Sequence, residues 1–154
     1  MKKVMISLAM FFMAQLFHSQ AWNGAGDQKA QAGFSAWGNG VGITGTYDYG
    51  LSDLISVGGG LNLYFDNKKD NDFFIFGRVN FHLQDALQLS DQLDIYPGAD
   101  IGVLGNSFGL GVHLGVRYYF TEKFGAFAEI GNNGAVGCAG TVLASLKVQA
   151  GRYF

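Results

Sequence analysis

Large apolar residues alternate with small or polar residues along most of this chain, with a period of two. The clearest stretch is 108–120, FGLGVHLGVRYYF, in which every second residue is large and apolar and the residues between them include His113 and Arg117. Successive side chains of a β-strand point to opposite faces, so this stretch is predicted to be a strand with one apolar and one polar face. The apolar face points inward in a soluble barrel and contacts lipid in an outer-membrane barrel.

The same alternation recurs often enough to predict eight strands. Turn residues such as 38–40 (GNG) and a charged segment at 66–72 (DNKKDND) separate them, and residues 22–28 form a polar lead-in. Segments of about 9–11 residues cross a bilayer when tilted. The predicted fold is therefore all-β, an eight-stranded antiparallel up-and-down transmembrane β-barrel. The predicted strands cover residues 29–37, 41–50, 54–65, 73–82, 93–103, 108–120, 124–131 and 141–154.

The beginning of the chain indicates export. Two lysines precede an apolar run at 4–17, and small residues stand at Ser19 and Ala21. This pattern predicts a secretory signal peptide over residues 1–21, cleaved after Ala21, although a retained anchor is the alternative. The remaining 22–154 is long enough for one barrel domain. It holds 8 Lys and Arg against 12 Asp and Glu, a net charge of −4, which argues against a nucleic-acid partner.

Aromatic residues concentrate near the predicted strand ends in two groups, as in the aromatic girdles of membrane barrels. With both termini in the periplasm, one group marks the outer rim and the other marks the periplasmic rim. The outer group is Phe65, Phe73 and Phe108, and the periplasmic group is Tyr47, Tyr49, Phe81, Tyr118, Phe120, Phe124 and Phe154.

The sequence resembles the small eight-stranded outer-membrane barrels of the OmpA and OmpX type. The resemblance is most specific in the hairpin at 115–131, GVRYYFTEKFGAFAEIG, and in the final residues 151–154, GRYF. It implies a location in the cell outer membrane, with outer-membrane lipid as the surrounding partner. It also implies that the terminal aromatic residue, Phe154, is read by the barrel-insertion machinery, and that the peptidoglycan-binding domain of the larger relatives is lacking.

In such a barrel the polar faces point into the lumen. Buried charges persist when they are paired, so Arg78 is expected to pair with Asp100, and Glu129 with Lys147 and either His113 or Arg117. An eight-stranded barrel is just wide enough for side chains to fill, so this network is interpreted as a structural plug. The predicted lumen residues are Asp48, Arg78, His82, Asp94, Asp100, His113, Arg117, Glu129 and Lys147.

No pattern in the sequence indicates catalysis. Both histidines of the predicted mature chain point inward, no nucleophile and base are expected within reach, and no Cys/His spacing fits a metal. We therefore expect no enzymatic activity, no cofactor and no metal. The expected function is an integral outer-membrane barrel with a filled lumen and a structural or surface-interaction role, its external partner unidentified. The alternatives are a secreted lipocalin-like barrel that binds an apolar ligand and a narrow ion-conducting barrel.

Overall fold

The computed structural model describes residues 20–37, 40–65, 73–104, 107–133 and 136–147. Consecutive strands pair antiparallel throughout, and β1 also pairs with β8, so the sheet closes on itself. The prediction of an all-β antiparallel barrel is confirmed. Across the described ranges, no helix combines the length and the apolarity needed to cross a membrane. The strands are β1 (Gln28–Trp37), β2 (Gly40–Gly50), β3 (Ile55–Tyr64), β4 (Phe73–Phe81), β5 (Leu93–Leu104), β6 (Ser107–Tyr119), β7 (Phe124–Asn133) and β8 (Val136–Lys147).

The two ends of the barrel differ in what they carry. One end holds residues 20–27 and the connections 51–54, 82–92 and 120–123, and we call it the terminal end. At the opposite end the chain passes from β1 to β2, from β3 to β4, from β5 to β6 and from β7 to β8, and we call the end formed by these strand termini the loop end.

The alternation of apolar and polar residues in the sequence corresponds to the outward and inward faces of the strands. On β6, Leu110 is 60% exposed and Val112 64% exposed, whereas Arg117 is fully buried. On β4, Ile75 is 56% exposed beside Arg78 at 3%. A slip of one residue in register would exchange the two faces of a strand, so this distribution fixes the register. On the described strands most large apolar side chains lie outside, and charged side chains lie inside.

Glycines on the inner face make room for the long polar side chains. A Cβ atom on Gly98 would lie 2.5 Å from the ring of His113, and one on Gly115 would collide with the ring of Tyr96. Tyr96 and His113 occupy their positions because the residues opposite them have no side chain.

The structure corrects one predicted boundary. The predicted strands 124–131 and 141–154 leave residues 132–140 as a connection, but β7 continues to Asn133 and β8 begins at Val136, so Cys138 lies in a strand. Small residues fill this segment, NNGAVGCAG, and hide its alternation. The ladder between β7 and β8 also shifts its register between Gly131 and Asn133. The predicted end of the last strand, 148–154, lies outside the described residues.

Candidate functional site

The candidate site is the interior of the barrel. Of the nine predicted lumen residues, the eight with described side chains are at most 8% exposed. Lys147 lies opposite Lys29 in the β1–β8 register, which places its backbone at the terminal end, and its side chain lies outside the described part.

Arg78 is the centre of the interior network. Its Nε and Nη2 atoms donate to the two carboxylate oxygens of Asp48 at 2.7 and 2.5 Å, and Nη1 donates to Glu129 at 2.9 Å. Nη2 also donates to Gln31 Oε1 at 2.8 Å. A guanidinium that binds one carboxylate with two parallel bonds is fixed in orientation as well as in charge. One cation therefore ties β4 to β1, β2 and β7.

The predicted pair of Arg78 with Asp100 is wrong, although the two residues face each other in the β4–β5 register. Asp100 instead contacts His113, with 2.8 Å between Oδ2 and Nδ1. Long inward side chains in a narrow barrel reach residues across the lumen as easily as the residue on the next strand. Strand register therefore does not determine which charges pair.

Glu129 also has partners other than those expected. It accepts a hydrogen bond from the hydroxyl group of Tyr96 at 2.8 Å in addition to the bond from Arg78. Arg117 lies 4.4 Å from the Tyr96 ring and donates to Asp48 at 3.3 Å. Tyr96 thus links the two arginines. Its hydroxyl group donates to Glu129, which also accepts from Arg78, and its ring packs against Arg117.

A chain of hydrogen bonds runs along the wall formed by β3 to β6. Its six members, in order, are Asp94, His82, Ser56, Asn80, His113 and Asp100. Ser56 Oγ accepts from Asn80 Nδ2 at 3.1 Å and lies 2.8 Å from His82 Nε2. His113 contacts an acceptor through each ring nitrogen, Asn80 Oδ1 at 2.9 Å and Asp100 Oδ2 at 2.8 Å.

The chain includes a serine, a histidine and an aspartate in mutual contact. The expectation that no nucleophile and base would lie within reach is wrong for Ser56 and His82, with Asp94 2.7 Å from the other ring nitrogen. All three residues are at most 1% exposed, and the ring of Trp22 lies flat on His82 with 3.4 Å between centroids. A substrate has no room beside Ser56 in this arrangement. The absence of enzymatic activity stays a prediction.

Residues 22–27 close the terminal end, and we call them the N-terminal strap. The sequence suggested only a polar lead-in here, but Trp22 is 3% exposed. Its indole nitrogen donates to the carbonyl oxygen of Asp53 at 2.6 Å, and its backbone nitrogen donates to Gln84 Oε1 at 3.0 Å. Asp27 in the strap forms a 2.6 Å ion pair with Lys29, whose ammonium group lies 5.9 Å from the Trp22 ring. The strap therefore packs into the barrel and closes this end of the lumen.

The half of the interior nearer the loop end is packed differently. Tyr64, Phe74 and Phe76 form a buried apolar cluster, in which the two phenylalanine rings stack 4.9 Å apart. Beside this cluster lies a small cavity of about 10 Å³, which is room for about one water molecule. We call it the loop-end cavity. Its lining residues are Thr44, Asn62, Phe74, Phe76, Arg78, Asp100, His113 and Glu129.

The sequence interpretation omitted several interior residues. Gln31, Ser56, Asn80 and Tyr96 all lie on the inward parity of their strands, and this parity was the signal that could have identified them. Trp22 precedes β1 and has no such signal.

The predicted interface aromatics lie on the outside of the barrel. The nine with described side chains are between 38% and 67% exposed. Phe65, Phe73 and Phe108 lie at the loop end, and the other six lie near the terminal end. Phe154 lies outside the described residues. Tyr47 and Tyr118 each donate a hydrogen bond from the ring hydroxyl to a glutamine, Gln28 at 2.6 Å and Gln92 at 2.9 Å.

Comparison with known proteins gives a family and a fold. Residues 11–140 match a family described as "Family of unknown function (DUF6646)". No curated protein matches the chain. Among solved structures, a de novo designed transmembrane β-barrel is similar with a TM-score of 0.68 and 16% identity, over 82% of this chain and 99% of that one.

Two natural barrels share the fold as well. The N-terminal β-barrel domain of Pseudomonas aeruginosa OprF has a TM-score of 0.64 and 15% identity, over 82% of this chain and all of that one. Neisserial surface protein A has a TM-score of 0.52 and 18% identity, over 79% of this chain and 95% of that one. At these identities the similarity concerns the fold.

Proposed function

The chain belongs to the DUF6646 family, a family of unknown function, and from that premise we propose that it is an integral protein of the outer membrane whose eight strands cross the bilayer around a closed, side-chain-filled lumen. The observation that carries this proposal is the inverted distribution of side chains. Charged residues fill the interior, whereas large apolar side chains of β1 to β7 are exposed on the outer wall.

The outer wall needs an apolar solvent. Leu110, Val112 and Ile130 are each at least 60% exposed, and large apolar residues stand beside them on the neighbouring strands. Soluble monomers rarely expose a contiguous apolar patch beyond a few hundred Å². Burying apolar surface in lipid stabilises by about 25 cal/mol per Å². A bilayer therefore suits this wall and water does not.

The interior supports a plug in preference to a ligand pocket or a wide pore. A lipocalin-like barrel needs an apolar lumen, but the lumen here holds Asp48, Arg78 and Glu129 in one network. The strap covers the terminal end. We therefore propose a structural or surface-interaction role, with outer-membrane lipid as the partner of the wall and the insertion machinery as a transient partner during assembly. Export through a cleaved signal peptide over residues 1–21 is part of the same proposal.

Cell fractionation followed by electrophoresis of heated and unheated samples tests this function. We expect the protein in the outer-membrane fraction, soluble only with detergent, and migrating faster before heating because the barrel stays folded. Recovery in the soluble periplasmic fraction would contradict the proposal. In planar bilayers we expect no large stable conductance, whereas a wide open state would contradict the filled lumen.

A charge placed on the wall provides a sharper test. An arginine facing lipid near the bilayer midplane costs about 2–4 kcal/mol. We expect Leu110→Arg to lower the folded fraction in lipid vesicles, while Glu122→Arg, at an exposed position in a connection at the terminal end, leaves it unchanged. Equal behaviour of the two variants would argue against lipid contact at Leu110.

A further inference from the structure

We propose that the terminal end of the barrel holds a binding site for the indole ring of a small molecule. In the closed barrel Trp22 occupies this site with its own ring. The imidazole of His82 lies against that ring, 7° from parallel with 3.4 Å between centroids, and the carbonyl oxygen of Asp53 accepts from the indole nitrogen at 2.6 Å. The site therefore contacts both the flat face and the N–H edge of an indole.

The two groups that contact the ring belong to the barrel and not to the strap. His82 is held by Asp94 and Ser56, which lie 2.7 and 2.8 Å from its two ring nitrogens. Asp53 follows Ser52, whose hydroxyl group accepts from two backbone nitrogens of the same turn. Since these contacts do not involve the strap, the site keeps its shape when the ring leaves, and a preorganised site binds its ligand at lower cost.

A buried cation beside the ring favours an aromatic occupant over an aliphatic one. The ammonium group of Lys29 lies 5.9 Å from the ring of Trp22 and 5.0 Å from the ring of Tyr119. It also forms an ion pair with Asp27, and Lys29 is fully buried. Aromatic faces attract ammonium groups within about 6 Å, so a ring at this position helps to accommodate the buried charge.

The site has the size of an indole ring. Trp22 is 3% exposed, so its ring fills an enclosed space. A cavity left by removal of a buried aromatic ring takes up a ring from solution, as an engineered apolar cavity takes up benzene. The loop-end cavity, at about 10 Å³, has no such room.

The segment that carries Trp22 has few attachments. In the part of the chain that the structure describes, residues 22–25 form hydrogen bonds to residues beyond the strap only through Trp22, from its indole and backbone nitrogens. Gly24 and Gly26 have φ angles of 76° and 82°, a region that glycine enters readily. A Cβ atom on Gly26 would have no neighbour within 4 Å. The ring can therefore swing away with this segment, which opens the site to a ligand from outside.

Trp22 and an indole from outside thus compete for one site. A tethered group has an effective concentration of the order of millimolar, which an outside ligand must match. The strap keeps the site closed at low indole concentrations and yields it at high ones.

Equilibrium dialysis of indole against folded protein in detergent tests the proposal. Wild type and Trp22→Gly are compared at equal detergent concentration, so that uptake by the micelles cancels. We expect saturable uptake by Trp22→Gly with a Kd of roughly 1 mM, which the limit on binding energy per non-hydrogen atom allows for a ligand of this size. The wild type should bind at least about tenfold more weakly, because Trp22 competes. Equal uptake by the two proteins would overturn the proposal.

Benzofuran tests recognition of the N–H edge. It has the shape of indole but carries an oxygen atom in place of the N–H group, so the carbonyl oxygen of Asp53 loses its donor. We expect Trp22→Gly to bind benzofuran at least about fivefold more weakly than indole. Equal binding of the two compounds, after subtraction of the uptake measured with wild type, would contradict the site.

A variant that keeps Trp22 tests the competition. Gln84→Leu removes the acceptor of the Trp22 backbone nitrogen and leaves both contacts of the ring in place. Loss of this hydrogen bond should loosen the strap and strengthen indole binding about fivefold relative to wild type. Leu87→Ala, at an exposed position in the same connection, is the matched control and should bind as the wild type does. Electrophoresis without heating identifies the folded variants. Unchanged indole binding by folded Gln84→Leu would contradict the proposal even if Trp22→Gly did not fold.

Discussion

The two halves of the barrel interior solve the same packing problem differently. At the terminal end, Trp22 fills the lumen and lies directly on His82, and the strap is tied to two connections by hydrogen bonds. Toward the loop end, an aromatic cluster stands beside a cavity in which two acceptors have no described donor. The first half is closed by the strap, and the second keeps a small space of about 10 Å³ between its side chains. The barrel interior is therefore filled by the N-terminal strap at one end and is less completely filled at the other.

The largest expected effect comes from removing the guanidinium group of Arg78, which lies at the centre of the interior network. Arg78→Met would leave Asp48 and Glu129 buried without their shared cation. Breaking a buried ion pair by removing one partner costs about 3–5 kcal/mol. We expect a loss of this size in the free energy of unfolding, measured by urea titration in lipid vesicles. The double variant Arg78→Met with Asp48→Asn should recover part of it. A loss well under about 1 kcal/mol, as for an exposed ion pair, would contradict the central role of Arg78.

A somewhat smaller effect is expected from removing the Trp22 ring, which closes the terminal end. Trp22→Ala deletes a buried ring and its contact with His82, and truncations of this kind cost about 3 kcal/mol. We also expect the variant to pass small ions more readily in planar bilayers, because the terminal end loses its cover. Leu87→Ala, an exposed residue at the same end, is the control. Unchanged stability and conductance would show that the strap does not close the barrel.

The matching truncation toward the loop end should cost less. Phe74 is as buried as Trp22, at 3% exposure, but it borders a cavity. Water can fill the space that Phe74→Ala creates, so we expect a loss of about 1.5 kcal/mol, below the usual range for buried aromatic residues. The same urea titration measures it. A loss as large as that of Trp22→Ala would remove the distinction between the halves.

The smallest effect concerns the hydroxyl group that joins the network. Tyr96→Phe removes the donor to Glu129 and keeps the ring under Arg117. The net contribution of one hydrogen bond to a charged group is about 1.5 kcal/mol or less where another donor remains. Since Arg78 still serves Glu129, we expect a loss of about 1 kcal/mol in the same titration. A much larger loss would place the centre of the network at Tyr96.

The faces of the strands could be predicted from the sequence because alternation is a local signal. Leu110 and Arg117 on β6, for example, differ in parity and lie on opposite faces. The partners inside the barrel could not be predicted in the same way. Asp100 faces Arg78 on the next strand but contacts His113, because side-chain length and the space left by Gly98 decide the contact. Trp22 was beyond reach as well, since its packing depends on a chain reversal that no periodicity marks.

The contacts of the strap imply an order in which the barrel assembles. Trp22 contacts Asp53 in the connection between β2 and β3 and Gln84 in the connection between β4 and β5, residues 31 and 62 positions further along the chain. Such contacts form only after four strands have been brought together, so the ring of Trp22 enters late in assembly. In a Trp37→Phe variant, the fluorescence of Trp22 would then report completion of the barrel rather than arrival at the membrane, and a kinetic trace could separate the two steps.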